Sequence, residues 1–104
     1  MPATVILTSA PDLKTADKIA RLLVTQKLAA CVTISPAARS VYRWKGRVTA
    51  QPERVLTIKT RSELFHSIER CFRRAHPYEV PELISIPAAR ISRSYSAWLN
   101  ASLK

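Results

Sequence analysis

Ala30-Cys31-Val32-Thr33-Ile34-Ser35-Pro36-Ala37-Ala38-Arg39-Ser40-Val41-Tyr42-Arg43-Trp44-Lys45-Gly46-Arg47 is rich in β-branched and alternating residues, is broken once by a proline, and closes on the chain's single glycine. Pro36 cannot donate to a ladder, so a strand running through it bulges or bends there. Trp44-Lys45-Gly46-Arg47 reads as a hairpin turn in which Gly46 is free to take positive φ. Arg54-Val55-Leu56-Thr57-Ile58-Lys59 then returns as the partner strand. Each arm comes to about fifteen residues at roughly 3.3 Å apiece, well beyond the usual five or six. Such an overhang has free edges and needs a cover, which a second copy of the chain would supply. Tyr42 and Trp44, two apart, share a face and are the expected anchors of that interface. Arg39, Arg43, Lys45 and Arg47 are expected to share one strand face as well.

The flanks complete the pattern. Val5-Ile6-Leu7 is a short apolar run closed by Thr8-Ser9-Ala10-Pro11, which suits a fully buried central strand. Asp12 can cap a helix whose apolar stripe is Ala16, Ile19, Ala20 and Leu23. Ser62 and Glu63 are expected to open a second helix with Leu64, Phe65, Ile68, Cys71 and Phe72 on one side and Arg70, Arg73 and Arg74 toward its negative end. His76-Pro77 stops it. Leu83 to Ile86 reads as a last strand, and Ser94 to Leu103 as a closing helix presenting Tyr95, Trp98 and Leu99. The order β-α-β-β-α-β plus a C-terminal helix is an α+β arrangement, the ferredoxin-like split β-α-β with a long, bulged central hairpin, forming one domain over residues 1–104.

Composition narrows the class. A chain of 104 residues with 47 % apolar content has enough apolar surface for one ordinary core. No stretch approaches the roughly 18 to 20 apolar residues of a membrane span, and Met1 to Pro11 shows no leader pattern, so a cytoplasmic protein with no membrane contact is expected. Cys31 and Cys71 lack the spacing of a zinc knuckle or redox pair and read as buried small hydrophobes. Seventeen Lys and Arg against seven Asp and Glu give a net charge of +10, scattered along the chain and not gathered in a tail. Nucleic acid is not the expected partner despite that charge, because the aromatic strand of RNA-recognition domains is absent.

The densest polar cluster is His76-Pro77-Tyr78-Glu79-Val80-Pro81-Glu82. Prolines stiffen it, so its imidazole, phenol and carboxylates are held in nearly fixed directions. The cluster can coordinate a divalent ion or orient a polar ligand; equally, it can be a rigid connector whose side chains satisfy backbone groups or pair with Lys59 or Arg61. A single glycine leaves no phosphate-cradling loop, and H-E-x-x-H and nucleophile-elbow motifs are missing, so no enzyme is expected.

Leu28-Ala29-Ala30-Cys31, Ser40-Val41-Tyr42-Arg43-Trp44-Lys45-Gly46, Lys59-Thr60, the His76 to Glu82 string and Tyr95-Ser96-Ala97-Trp98-Leu99 together resemble the CutA divalent-cation-tolerance proteins, from Val5 to Leu103. The resemblance implies a ferredoxin-like subunit in a tight homotrimer, linked in bacteria to tolerance of copper and other divalent ions. Trimers of this kind resemble PII signalling proteins, which bind small effectors between subunits. Where copper-binding members carry a Cys and a second His, this chain has Thr8 and Ala75, and a family Gly after the bulge proline is replaced by Ala37. On this basis His76 is the expected metal residue, for a divalent ion such as copper, with Cys71 and Glu79 as helpers. Lys59, Tyr78, Glu79 and Glu82 are the expected ligand cleft, and Tyr42, Trp44 and Trp98 the expected trimer contacts. The alternative is a PII-like binder of a small anionic effector through Arg39, Arg43, Lys45, Lys59 and Arg61.

Overall fold

The computed structural model describes residues 2–104. Its elements are β1 (Ala3–Ala10), α1 (Leu13–Thr25), β2 (Cys31–Ile34), β3 (Ala38–Trp44), β4 (Arg47–Arg61), a short 3-10 turn (Ser62–Leu64), α2 (Phe65–Ala75), β5 (Ile84–Pro87) and α3 (Arg93–Ala101). All pairings are antiparallel, in the order β2-β4-β1-β5, with β3 continuing beside β4. That is the ferredoxin-like arrangement expected from the element order.

The bulge lies where Pro36 places it. Ile34 faces Leu56 and Ala38 faces Glu53, so Ser35, Pro36 and Ala37 stand against only Val55 and Arg54. Ser35 N–H donates to the Val55 carbonyl at 2.9 Å, and Val55 N–H returns to Ser35 Oγ at 2.8 Å. The hydroxyl thus accepts from a strand N–H at the bulge, where the ladder is interrupted. One extra residue also reverses the alternation. Val32 and Ile34 share a face with Ile58 and Leu56, whereas Ser40, Tyr42 and Trp44 stand on the opposite one.

β4 is continuous for 15 residues, but β1 accompanies it only from Arg54 to Arg61. Arg47 to Glu53 therefore pairs with β3 alone, and the molecule measures 45 × 26 × 24 Å. Lys45 (φ 50) and Gly46 (φ 78) both take positive φ and make the tight reversal. With Trp44 opposite Arg47, the expected common face for the four basic residues does not form. Arg47 lies on the Trp44 side, Arg39 and Arg43 lie on the other, and Lys45 is in the turn.

The core joins α1 (Ile19, Leu23) and α2 (Ile68, Phe72) to one face of the sheet through Ile6, Leu56 and Ile58. β1 is central but not buried on both sides: Thr4, Ile6 and Thr8 are covered, while Val5 and Leu7 are only half-buried, because the helices pack on one face. α1 begins as expected, Thr15 N–H donating to Asp12 Oδ1 at 2.7 Å. The second helix is corrected at its start. Ser62 and Glu63 lie in the 3-10 turn, and α2 opens at Phe65 with no side-chain cap. α3 is capped by Ser92, whose Oγ accepts from Tyr95 N–H at 3.3 Å. No described helix is long and apolar enough to cross a membrane.

Candidate functional site

α2 ends at Ala75 because His76, preceding a proline, leaves the helical region (φ −86, ψ 133). Its ring turns inward and is 8 % exposed. Nε2 lies 2.7 Å from the Ser9 carbonyl, and Tyr78 N–H donates to Nδ1 at 3.1 Å. A carbonyl only accepts and an amide N–H only donates, so the proton sits on Nε2 and both ring nitrogens are committed to backbone. Phe72 and Tyr78 flank the ring at 5.3 and 4.9 Å between centroids. At the far end of the loop, Thr8 Oγ1 donates to the Glu82 carbonyl at 2.6 Å. His76 and Thr8 thereby fasten the loop to the end of β1 at two points.

A third tie runs to the hairpin. Tyr78 donates its phenolic proton to Glu53 Oε2 at 2.6 Å, and Ser9 Oγ donates to the same oxygen at 3.2 Å. Glu53 is 8 % exposed. Burial, then the hydrogen bond to Glu53 and the charge of that carboxylate, push the Tyr78 phenol well above the usual tyrosine range. Tyr78 therefore stays a proton donor throughout the neutral range. Between hairpin and loop lies a cleft of about 570 Å³ whose walls include Tyr42, Trp44, Glu53, Tyr78, Glu79 and Glu82. Among the described residues no Lys or Arg lines it.

The structure thus gathers Tyr42, Trp44, Tyr78, Glu79 and Glu82 in one place and puts Lys59 elsewhere. Lys59 stands opposite Val5 and Cys31, six residues along β4 from Glu53, which at about 3.3 Å each is about 20 Å. It lines a second pocket of about 470 Å³ with Arg90, Ser92 and Tyr95, and its Nζ reaches Thr33 Oγ1 at 3.4 Å. Arg61 pairs with Glu63 at 3.0 Å and donates to Asn100 Oδ1, and neither basic residue meets the loop's carboxylates. Trp98 is half-exposed on α3, 5.3 Å from Tyr95. Cys71 packs against the core, where burial raises its thiol and Arg74 partly opposes the rise. A metal held by His76, Cys71 and Glu79 does not fit this geometry. His76 has no free nitrogen lone pair, and among the described residues no group of three His, Cys, Asp or Glu side chains converges.

Glu53 and Ser9 were not visible as site residues in the sequence. One signal pointed to the first: Glu53 is the only carboxylate between Asp17 and Glu63, set in the most basic stretch of the chain.

The family model of the CutA1 divalent ion tolerance protein matches residues 4–102. The divalent-cation tolerance protein CutA of Citrobacter koseri is 38 % identical over 102 residues, covering 98 % of this chain and 89 % of the relative. Among solved structures, the divalent cation tolerance protein of Thermus thermophilus superposes with a TM-score of 0.95 at 37 % identity, covering 98 % of this chain and 99 % of the other. One from Archaeoglobus fulgidus, described as a periplasmic divalent cation tolerance protein, gives 0.94 at 32 % identity, covering 98 % and 99 %.

Proposed function

The chain belongs to the CutA1 divalent ion tolerance family, and we propose that it serves divalent-cation tolerance, copper included, as a non-enzymatic homotrimer that holds cations weakly in the cleft between hairpin and loop. The observation that carries the cation reading is the cleft's lining, which among the described residues contains Glu53, Glu79 and Glu82 and no basic side chain, on a protein of net charge +10. Without three convergent donors, a divalent ion is held through its water shell and not by direct ligation, as hard hydrated ions commonly are. A dedicated copper centre would need several nitrogen or sulfur donors.

Self-association is supported by what the subunit leaves open. Arg47 to Glu53 has a free strand edge, Val41 and Val48 on the hairpin are 67 % and 69 % exposed, and Ile84 and Ile86 on β5 are about half-exposed. A monomer with such edges and apolar surface is prone to pair with another chain. The reading places the protein in the cytoplasm, where its unpaired thiols Cys31 and Cys71 stay reduced.

Sedimentation at micromolar concentration, followed by calorimetric titration with copper and with magnesium, tests both parts. The expected result is a trimer with weak, salt-sensitive uptake that the Glu79→Gln/Glu82→Gln pair reduces. A folded monomer, or tight copper binding lost on His76→Ala, would overturn it.

A second reading, a PII-like response to a small anion, is favoured by the other pocket. Lys59 and Arg90 line it, and among the described residues no carboxylate does. Thermal-shift screening with phosphates and nucleotides checks this reading, which requires stabilisation that Lys59→Gln abolishes.

A further inference from the structure

We infer that His76 is a pH latch: its neutral imidazole fastens Tyr78 to the end of β1, and a second ring proton releases the Pro77 to Glu82 loop from that anchor. The latch stands on the loop's own geometry and holds whether or not the cleft takes cations.

The ring joins two elements that make opposite hydrogen-bond demands on it. Nε2–H donates to the Ser9 carbonyl at 2.7 Å, while Nδ1 accepts from Tyr78 N–H at 3.1 Å. Only a neutral imidazole in this tautomer does both, because a protonated ring carries a donor on each nitrogen. In the charged form the bond to Ser9 persists and strengthens, whereas Nδ1–H meets Tyr78 N–H donor to donor. The ring is 8 % exposed and is flanked by Phe72 and Tyr78, so the added proton finds an acceptor only if the loop moves.

The charges around the ring come from every element packed on it. From β4, Glu53 is bonded to the same Ser9 and Tyr78, while Arg54, opposite Ala10, turns to the Ser35 carbonyl. Asp12, at the start of α1, acts on the Tyr78 phenol. The loop adds the exposed Glu79 and Glu82, and the last turn of α2 adds the exposed Arg73 and Arg74. The carboxylates and the negative end of α2 favour the imidazolium; burial and the two arginines oppose it. Imidazole is the side chain that ordinarily changes charge between about pH 5 and about pH 8, and the latch works in that range.

The release has a direction. At the far end of the loop, Thr8 holds the Glu82 carbonyl through a hydroxyl that does not titrate. Tyr78 keeps its bond to Glu53, and the loop pivots about Glu82, loosening the cleft wall to which Pro77 and Tyr78 belong.

Nuclear magnetic resonance on the intact labelled oligomer, from about pH 8 to about pH 5, tests the latch without any added cation. His66, the chain's one other histidine and an exposed one, serves as the internal reference. The ring nitrogens of His76 should report the Nε2–H tautomer at the upper end and a second proton at the lower. Protection of the Tyr78 amide, corrected for intrinsic exchange, should fall about tenfold or more with the same midpoint. In His76→Gln, which offers a donor and an acceptor but takes up no proton, that protection should stay level. If this variant does not fold, the wild-type midpoints decide: coincidence supports the latch and separation overturns it. Protonation of His76 with Tyr78 protection unchanged overturns it, as does a ring that stays neutral across the range. An equal loss of protection in folded His76→Gln assigns the switch to another group, Glu53 first, and also overturns it.

Discussion

Tyr78 and Glu53 stand 25 residues apart in sequence and 2.6 Å apart in space, phenol donating to carboxylate, and this bond joins the proline-stiffened loop to the overhanging hairpin. It closes one side of the cleft and sets the direction of a buried charge. A hydrogen bond to a charged acceptor contributes about 1.5–3 kcal/mol, so the contact matters to stability as well as to the site.

Tyr78→Phe removes the donor and leaves Glu53 with Ser9 alone. Chemical denaturation should show a loss of about 1.5–3 kcal/mol. The alkaline limb carries a second signature. The phenol's folded pKa is raised above the ordinary tyrosine value of 10.0, so the folded state holds the proton that the unfolded chain releases. Stability is complete below pH 10 and falls as pH rises beyond it. Stability measured from pH 9 upward should decline less steeply in the Phe variant.

His76→Ala should lower stability by about 2–4 kcal/mol, since it strands the Ser9 carbonyl and the Tyr78 amide and opens space beside Phe72. His76→Gln, which retains a donor and an acceptor, should recover part of the loss. In the folded Gln variant, the calorimetric copper titration should match that of wild type.

Gly46→Ala tests the turn. A Cβ there meets no atom within 4 Å, so the cost is conformational, from φ +78. Thermal unfolding should register about 1 kcal/mol. The effect should be local, with the Tyr78 to Glu53 tie preserved.

Ile84→Glu combined with Ile86→Glu puts charge on a part of β5 that is 51 % and 47 % exposed in the subunit. The subunit should fold, as judged by circular dichroism, while sedimentation shifts from trimer to monomer.

Acid should act on α1 through its cap. Hydrogen bonds from the Thr15 backbone and hydroxyl hold the Asp12 carboxyl below the ordinary aspartate value of 3.8. A lowered pKa means that the stabilisation is present above 3.8 and is lost as pH falls through the folded value. An Asp12→Asn variant should show a flatter acid limb in stability against pH, read by far-UV circular dichroism.

Much of the fold was legible because it is written in short-range periodicity. The Ala16, Ile19, Ala20, Leu23 stripe, the stop at His76-Pro77 and the glycine turn at Gly46 each depend on residues within a turn or two of one another. The cleft was half legible: the His76 to Glu82 loop and the Tyr42, Trp44 pair stood out in the sequence. Glu53 and Ser9 did not, because their role comes from a meeting of β4, β1 and the loop that no local spacing encodes. Nor does the sequence show that Lys59 lies about 20 Å along β4 from Glu53 within the subunit. Sequence distance gives no measure of which end of a strand a pocket uses.

The sequence by itself determined the elements, the bulge at Pro36 and the overhanging hairpin, since backbone sterics and side-chain alternation act locally. Only the tertiary structure decided which face each side chain took and what it met. The one-residue excess at Ser35 to Ala37 sends Tyr42 and Trp44 to the face opposite Val32 and Ile34, and the two-residue turn puts Arg47 across from Trp44. Packing likewise decided that His76 gives both ring nitrogens to backbone, because a buried imidazole must satisfy them with whatever groups the fold brings within reach.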